Sequence, residues 1–265
     1  MNQPLAYVHP EAKIASNVVI EPFVTIAKNV EIGEGTWIGP NVTIMEGARV
    51  GKNCKIFPGA VVACIPQDLK FKGEDTVVEI GDNTTIRECA TINRGTAANN
   101  KTVVGKNCLI MSYAHIAHDC MVKDNVILGS YAGLAGEVEV DDFAIISPGS
   151  LVHQFVRIGC HVMIAGGSLV RKDVPPYIKA ARDPLSYAGI NSIGLRRRGF
   201  ENGRIHEIQE IYRILYQKGV NTSHAVDLIE SNISATVDRD EVLLFIKNSK
   251  RGIIRGYALG SGSDI

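Results

Sequence analysis

No charge of one sign dominates this chain, aromatic residues are scarce, and no apolar run is long. Lysine plus arginine and aspartate plus glutamate each total 28, so the formal net charge is zero. Global charge therefore gives no support to nucleic-acid binding or to attraction toward an anionic membrane. No apolar run approaches the ~18–20 residues of a membrane span, so no span is expected. Aromatics make up 6% of the residues and there is one tryptophan, which argues against an ordinary aromatic-rich core. The six cysteines, at 54, 64, 89, 108, 120 and 160, form no CxxC pair, and no metal site is expected from them. The start, Met1-Asn2-Gln3-Pro4, lacks the basic and apolar regions of a signal peptide. The expectation is a cytoplasmic protein in a reducing compartment. A hydrophobic content of 45% against 21% charged residues argues for a folded chain.

What the chain has is glycine, 26 of 265 residues, and a period of six. Counting from Val8 in steps of six to Val170 gives 28 positions, of which 25 are aliphatic; Asp68, Glu74 and Ala98 are the failures. Two residues before each such position sits a small or β-branched residue, as at Val24, Ala60, Cys120 and Ala132. Neither the helical period of 3.6 nor the strand period of 2 produces this. A short strand plus a tight turn does, and three such units close an 18-residue triangular coil. Coils stacked at ~4.8 Å pair their backbones in parallel sheets. The predicted fold is mainly β: a parallel β-helix over residues 1–176, from which residues 63–79 are ejected as a loop. Pro175 and Pro176 remove two donors and are read as the stop of the ladder; a connector over 177–189, an α-helical C-terminal domain over 190–255 and a loose tail over 256–265 follow. Asn221, Thr222 or Ser223 offers a helix cap, and Gly203 and Gly219 punctuate the helices. A second excursion near Gly95–Lys101 is shorter and less telling.

The chemistry points to the segment Ala114–Cys120. Ile116 faces inward, so His118 faces outward, and two histidines and an aspartate share one turn. A step of one coil places His118 beside Gly136 and Gln154, with His153 in the adjoining column. An imidazole oriented by a carboxylate suits general-base work near neutral pH. Gly136 offers either a bared N–H for an oxyanion or a turn that needs positive φ. Cys120 occupies an inward position and is read as core packing. The run Arg196-Arg197-Arg198 suits phosphate oxygens and also fits a solvated basic helix face. A flat face cannot exclude water by itself, so a second copy covering the patch is expected.

These features together resemble the UDP-N-acetylglucosamine 3-O-acyltransferases, the first acyltransferases of lipid A synthesis. The resemblance is carried by Pro66-Gln67-Asp68-Leu69-Lys70, Asn93-Arg94-Gly95-Thr96, His115-Ile116-Ala117-His118-Asp119-Cys120, Val152-His153-Gln154-Phe155 and Arg197-Arg198-Gly199-Phe200. It implies a left-handed hexapeptide-repeat β-helix, which is an exception to the usual hand of parallel crossovers. It implies a homotrimer with sites between subunits. The acyl donor would be a 3-hydroxyacyl chain on the phosphopantetheine of acyl carrier protein, with no further cofactor and no acyl-enzyme. His118 would be the general base, Asp119 its support, and the Gly136 N–H the oxyanion donor. Asp68, Lys70 and His115 would hold the sugar and pantetheine side. Gln67, His153, Gln154, Asn191, Arg197 and Arg198 would line the nucleotide side. Gly166 would form the floor of the acyl groove, as an alternative to a plain turn glycine. One departure is Glu137, where the family often has histidine; an ionised carboxylate there accepts a sugar hydroxyl but donates nothing, which leaves a 3-amino sugar nucleotide open as the acceptor. A trimeric γ-type carbonic anhydrase is the main alternative on this scaffold, but its H-x-x-x-x-H pair is missing. A non-catalytic solenoid scaffold and the N-acyltransferase of the same pathway are the others.

Overall fold

The computed structural model describes residues 4–256, so the predicted tail, apart from Gly256, lies outside the described residues. Strands of mostly two residues stack into three sheets of nine, eight and ten strands. Coil pairs with coil in parallel: Tyr7 opposes Thr25 and His115 opposes Gly133, each eighteen residues on. The sixth-residue aliphatics fill the prism, with Ile26, Ile38, Ile44, Ile56, Ile86, Ile92, Ile110 and Ile116 fully buried. Each contributes roughly 1.5–3 kcal/mol by leaving water. The residues two before them, such as Ala60, Cys54 and Cys120, are also fully buried. They are small because a narrow close-packed prism has no room for a second large side chain on each edge.

Most corners from Phe23 to His161 follow one recipe. The third residue after the inward aliphatic takes the left-handed conformation, as at Asn29, Asn41, Asn53, Asn107 and Asn125 with φ of 52° to 60°. Asparagine tolerates this region better than most residues. The residue just before it is Pro22, Pro40, Pro58, Pro148 or Pro176 in five corners. The coil-to-coil ladder uses the N–H groups on either side of that position and not its own, as at Glu21 and Phe23 around Pro22. Proline there loses nothing.

Two excursions interrupt the recipe. Val61 pairs with Thr91, thirty residues on, so the first adds twelve residues; Thr91 pairs with His115, twenty-four on, so the second adds six. The first loop runs between the strands Val61–Cys64 and Val77–Ile80. It is shorter than the predicted 63–79 because both ends extend the ladder.

The end of the solenoid corrects the predicted connector. Residues 177–189 are not free chain: Ile178–Ala181 adds a parallel strand against Met163–Ile164 and pairs antiparallel with Ser186–Ile190. Pro176 sits at the corner position whose N–H the ladder ignores, so it does not stop the third sheet. Pro175 precedes it where no further coil follows to receive an N–H. Four helices then cover this end: α1 (Ser192–Arg197), α2 (Asn202–Gln217), α3 (Thr222–Asn232) and α4 (Val237–Lys247). Asn191, Asn221 and Thr236 cap α1, α3 and α4 through their side chains. Gly219, at φ 68°, closes α2, whereas Gly203 lies inside its first turn instead of breaking the chain. The helices are keyed to the solenoid by buried polar contacts. The Tyr212 hydroxyl donates to the Pro176 carbonyl at 2.6 Å, and Tyr177 contacts Asp238 at 2.9 Å and also Glu241. Arg204 pairs with Asp238. No helix of the described residues is long and apolar enough to cross a membrane.

Candidate active site

The corner between the first and second sheets holds the strongest constellation. His118 stands two residues past the end of the strand His115–Ile116 and its side chain is 12% exposed, while that of Asp119 is fully buried. His118 Nδ1 lies 2.8 Å from Asp119 Oδ2. The same carboxylate accepts the Thr96 hydroxyl at 2.6 Å and the Thr96 and Asn99 N–H groups at 2.9 and 3.2 Å. With three donors from the backbone excursion, the Asp119 carboxylate acts as acceptor, so His118 Nδ1 donates and Nε2 is the ring nitrogen not engaged by the carboxylate. Asp119 sits at the left-handed corner position, φ 61°, and its N–H donates to the Thr102 hydroxyl at 2.8 Å.

Gly136 lies in the coil stacked on His118: the Glu137 N–H donates to the His118 carbonyl, and the Phe155 N–H to that of Gly136. Its φ is outside the left-handed region, so a turn does not require this glycine. Proximity does, because a Cβ here would stand 2.5 Å from His118 Cε1 and 2.6 Å from Nε2. Among the described residues no hydrogen bond uses the Gly136 N–H. It is the corner N–H that proline replaces elsewhere, here left free beside an imidazole.

His115 faces out of the first sheet with Nδ1 2.8 Å from the Thr91 hydroxyl. Burial holds its imidazole below the ordinary histidine value. In the first loop, Gln67 and Lys70 are exposed and Asp68 is half-buried; Asp68 Oδ1 accepts the Lys70 N–H at 2.9 Å. No hydrogen bond joins these three to His118. The root of the loop, however, rests on the second excursion: Asn93 donates to the Ile65 carbonyl at 2.8 Å, and the Arg94 guanidinium stands 5.4 Å from the Phe71 ring. His153 is exposed and Gln154 half-buried. Glu137 turns around the corner toward the second sheet, into a groove of about 860 Å³ shared with Lys101, Phe155, Arg157 and Arg251. Its carboxylate makes no ion pair among the described residues.

The remaining expected residues lie elsewhere on the prism. Asn191 is buried and both ends of its amide are engaged, accepting the Gly194 N–H at 3.3 Å and donating to the His161 carbonyl at 2.9 Å. Arg197 is exposed. Arg198 packs on the corner between the second and third sheets, donating to the Phe143 carbonyl at 3.1 Å with its guanidinium 5.1 Å from that ring. Gly166 lies on the corner between the third and first sheets. One chain therefore brings His118, Asp119 and Gly136 together but puts Arg198 and Gly166 on its two other corners.

Cys120 is inert in this setting. It is fully buried, its thiol donates to the Ala135 carbonyl at 3.1 Å, and burial pushes its pKa up to about 12. Among the described residues no three histidine, cysteine or carboxylate side chains converge as metal ligands. Sequence reasoning missed Thr96, Asn99 and Thr102. Their signal was the broken period at Ala98.

Residues 173–254 match the family described as UDP N-acetylglucosamine O-acyltransferase, domain 2, and residues 29–64 and 101–136 match bacterial transferase hexapeptide repeats. The chain is 55% identical over 251 residues, 94% of its length and 93% of the relative's, to the acyl-[acyl-carrier-protein]–UDP-N-acetylglucosamine O-acyltransferase of Sulfurihydrogenibium sp. (strain YO3AOP1). It is 52% identical over 255 residues, covering 95% and 98%, to the enzyme of that name from Trichlorobacter lovleyi. The structure matches a UDP-N-acetylglucosamine acyltransferase from Bacteroides fragilis 9343 with TM-score 0.95 and 54% identity, covering 96% and 100% of the two chains. The Francisella novicida enzyme gives TM-score 0.94 and 44% identity, covering 96% and 94%.

Proposed function

The chain belongs to the acyl-[acyl-carrier-protein]–UDP-N-acetylglucosamine O-acyltransferase family, and from that membership we propose that His118 is the general base of a direct acyl transfer. The acceptor is the 3-hydroxyl of UDP-N-acetylglucosamine, and the donor is a long 3-hydroxyacyl thioester on acyl carrier protein. The reaction is the first step of lipid A synthesis. The observation that carries the reading is the His118–Asp119 contact at 2.8 Å beside the unused Gly136 N–H.

In the first step His118 Nε2 takes the proton of the sugar hydroxyl as its oxygen attacks the thioester carbonyl carbon. Asp119 stabilises the imidazolium that forms. The tetrahedral oxyanion accepts the Gly136 N–H, a donor aimed at charge that develops only during reaction. Collapse breaks the carbon–sulfur bond, and the imidazolium returns the proton to the phosphopantetheine thiolate. The inertness of Cys120 supports a route without an acyl-enzyme.

Asp68, Lys70 and His115 hold the sugar and pantetheine, and Glu137 accepts from the sugar across the corner. Gln67, His153, Gln154, Arg197 and Arg198 serve the nucleotide, while Asn191 serves through the α1 segment that it caps. Because Arg198 and Gly166 sit on different corners from His118, one substrate can touch all three only between copies. The outer faces support a homotrimer built on the first and third sheets. Leu151, Leu169 and Met163 are exposed there, whereas the second sheet carries the ion pairs Lys13–Glu31, Lys101–Glu79 and Arg157–Glu139. A cytoplasmic location fits a donor carried by acyl carrier protein.

The test is product analysis by mass spectrometry with UDP-N-acetylglucosamine and a set of 3-hydroxyacyl carrier proteins. A 3-O-acyl sugar nucleotide is expected. Acylation at a sugar hydroxyl other than the 3-position, or no transfer from any donor, overturns the reading.

A further inference from the structure

The Asp119 carboxylate receives more donors than a histidine partner alone requires. Three of them come from two residues of the six-residue excursion that interrupts the period at Ala98: the Thr96 hydroxyl, the Thr96 N–H and the Asn99 N–H. The excursion is tightly folded. A Cβ on Gly95 would stand 2.3 Å from the Lys101 nitrogen, and the Asn100 N–H donates back to the Thr96 carbonyl at 2.8 Å. Thr96 is itself buried, 8% exposed, and its hydroxyl is committed at both ends: it donates to Asp119 Oδ2 and accepts the Ala98 N–H at 3.2 Å. The direction of its proton is therefore fixed by the backbone.

We propose that Thr96 is a positioning residue that sets the tautomer and orientation of His118 through Asp119. The hydroxyl fills one lone pair of Oδ2 and leaves the other for His118 Nδ1–H, while the two N–H groups occupy Oδ1. Every oxygen lone pair aimed inward then has a donor, the carboxylate cannot rotate, and the imidazole is held with Nε2 toward the Gly136 side. A charged acceptor with several donors is the strong form of such a link. The catalytic part of the inference rests on the general-base reading above; the tautomer part stands without it.

Two measurements separate those parts. The first is the pair Thr96→Val and Thr96→Ser in the full-length enzyme. Valine keeps the shape and the backbone N–H and removes only the hydroxyl. Thr96→Val is expected to lose about 10²-fold in kcat, the scale of a small misplacement of a catalytic group, with KM for the sugar nucleotide within twofold. Thr96→Ser is expected to restore most of the loss. The second is the ¹⁵N spectrum of the histidine rings, with the His118 signals assigned by their absence in His118→Gln. The wild-type ring is expected as the Nδ1–H tautomer, and Thr96→Val as a mixture. A thermal melt of each variant checks folding. An unchanged His118 tautomer with unchanged kcat in folded Thr96→Val overturns the inference, and leaves the general-base reading intact if His118→Gln is inactive. An altered tautomer with unchanged kcat upholds the positioning contact and sinks the general-base reading instead.

Discussion

The His118 imidazole occupies the space that a side chain at position 136 would need, 2.5 Å from Cε1 and 2.6 Å from Nε2 for a built Cβ. The glycine is thus defined by its neighbour and not by its own backbone angle. This yields a sharp expectation. Gly136→Ala keeps the N–H and an allowed backbone, yet it displaces the His118 ring, so the variant should fold and melt near wild type. Its kcat should fall by about 10²-fold or more, because a catalytic group has moved by ~1 Å. Steady-state kinetics beside a thermal melt decide it; near-wild-type kcat would show that the ring does not work from the position seen.

Removing the imidazole proposed as the general base should cost ~10²–10⁴-fold in kcat. His118→Ala is expected to do so in a folded protein, whereas Cys120→Ala should stay active, because its thiol faces the prism interior. A His118→Ala variant that keeps over half of wild-type kcat would exclude the role.

Much of this was legible in the sequence because the solenoid is a local code. One aliphatic per edge and a small residue two before it fix the coil. The eighteen-residue step then puts His118 against Gly136 on the sequence alone. The corner rule was also written there, as asparagine at 29, 41, 53, 107 and 125 and proline at 22, 40, 58 and 148, but it takes the backbone geometry to show what those types share. The Asp119 cradle was not legible. Two of its three donors from the excursion are the backbone N–H groups of Thr96 and Asn99, which carry no residue signature, and the third, the Thr96 hydroxyl, is delivered by an insertion whose path no periodicity predicts. The strand Ile178–Ala181 was hidden for a related reason: two consecutive prolines read as a stop, and only the corner register shows that the third sheet continues past them.

The two arginines proposed to meet the nucleotide differ in their packing. Arg197 is exposed, and Arg197→Ala should raise KM for the sugar nucleotide more than it lowers kcat, as expected for binding far from the reacting atoms. Arg198 is also tied to the Phe143 carbonyl, so Arg198→Ala should both raise KM and lower the melting temperature. An unchanged KM in both variants would remove the phosphate role.

Acid stability should report on His161. Its ring stacks on Phe143 at 4.9 Å and Tyr177 at 5.7 Å, and its Nδ1 is buried without a partner. Burial, with Arg198 and Arg204 nearby, brings its pKa down to about 4. The unfolded chain, with an ordinary value near ~6.5, binds that proton first. Between about pH 6.5 and 4 the unfolded state therefore gains protons that the folded state refuses, and stability falls as pH drops through that window. His161→Asn, which tolerates the φ of 55° at this corner, should flatten the decline. Parallel melting curves from pH 7 to 4.5 in the two proteins would contradict this. His115, also held low by burial, contributes in the same direction and remains in both proteins.

The last expectation concerns acyl length. Gly166 stands forty-eight residues after His118, on the corner between the third and first sheets, so both can meet one acyl chain only where two copies form the groove. Its φ is outside the left-handed region, unlike that of Gly167 at 69°, so a turn does not demand glycine at 166. A Cβ there meets the Pro148 carbonyl oxygen at 3.2 Å and Ser147 Cβ at 4.0 Å, a fit that needs only a few tenths of an ångström of give. A side chain at 166 is therefore structurally admissible, and its absence leaves the outer surface of this corner open. If the acyl tail runs over it, the wild-type enzyme should favour 3-hydroxyacyl chains of about fourteen carbons or more over ten. At about 0.8 kcal/mol per buried methylene, four methylenes discriminate by up to ~3 kcal/mol, or roughly 10²-fold in kcat/KM. Gly166→Met should keep its fold and activity and shift the optimum toward the ten-carbon donor. The measurement is kcat/KM across carrier proteins loaded with ten-, fourteen- and sixteen-carbon chains. A folded, active Gly166→Met with the wild-type profile would place the end of the groove elsewhere.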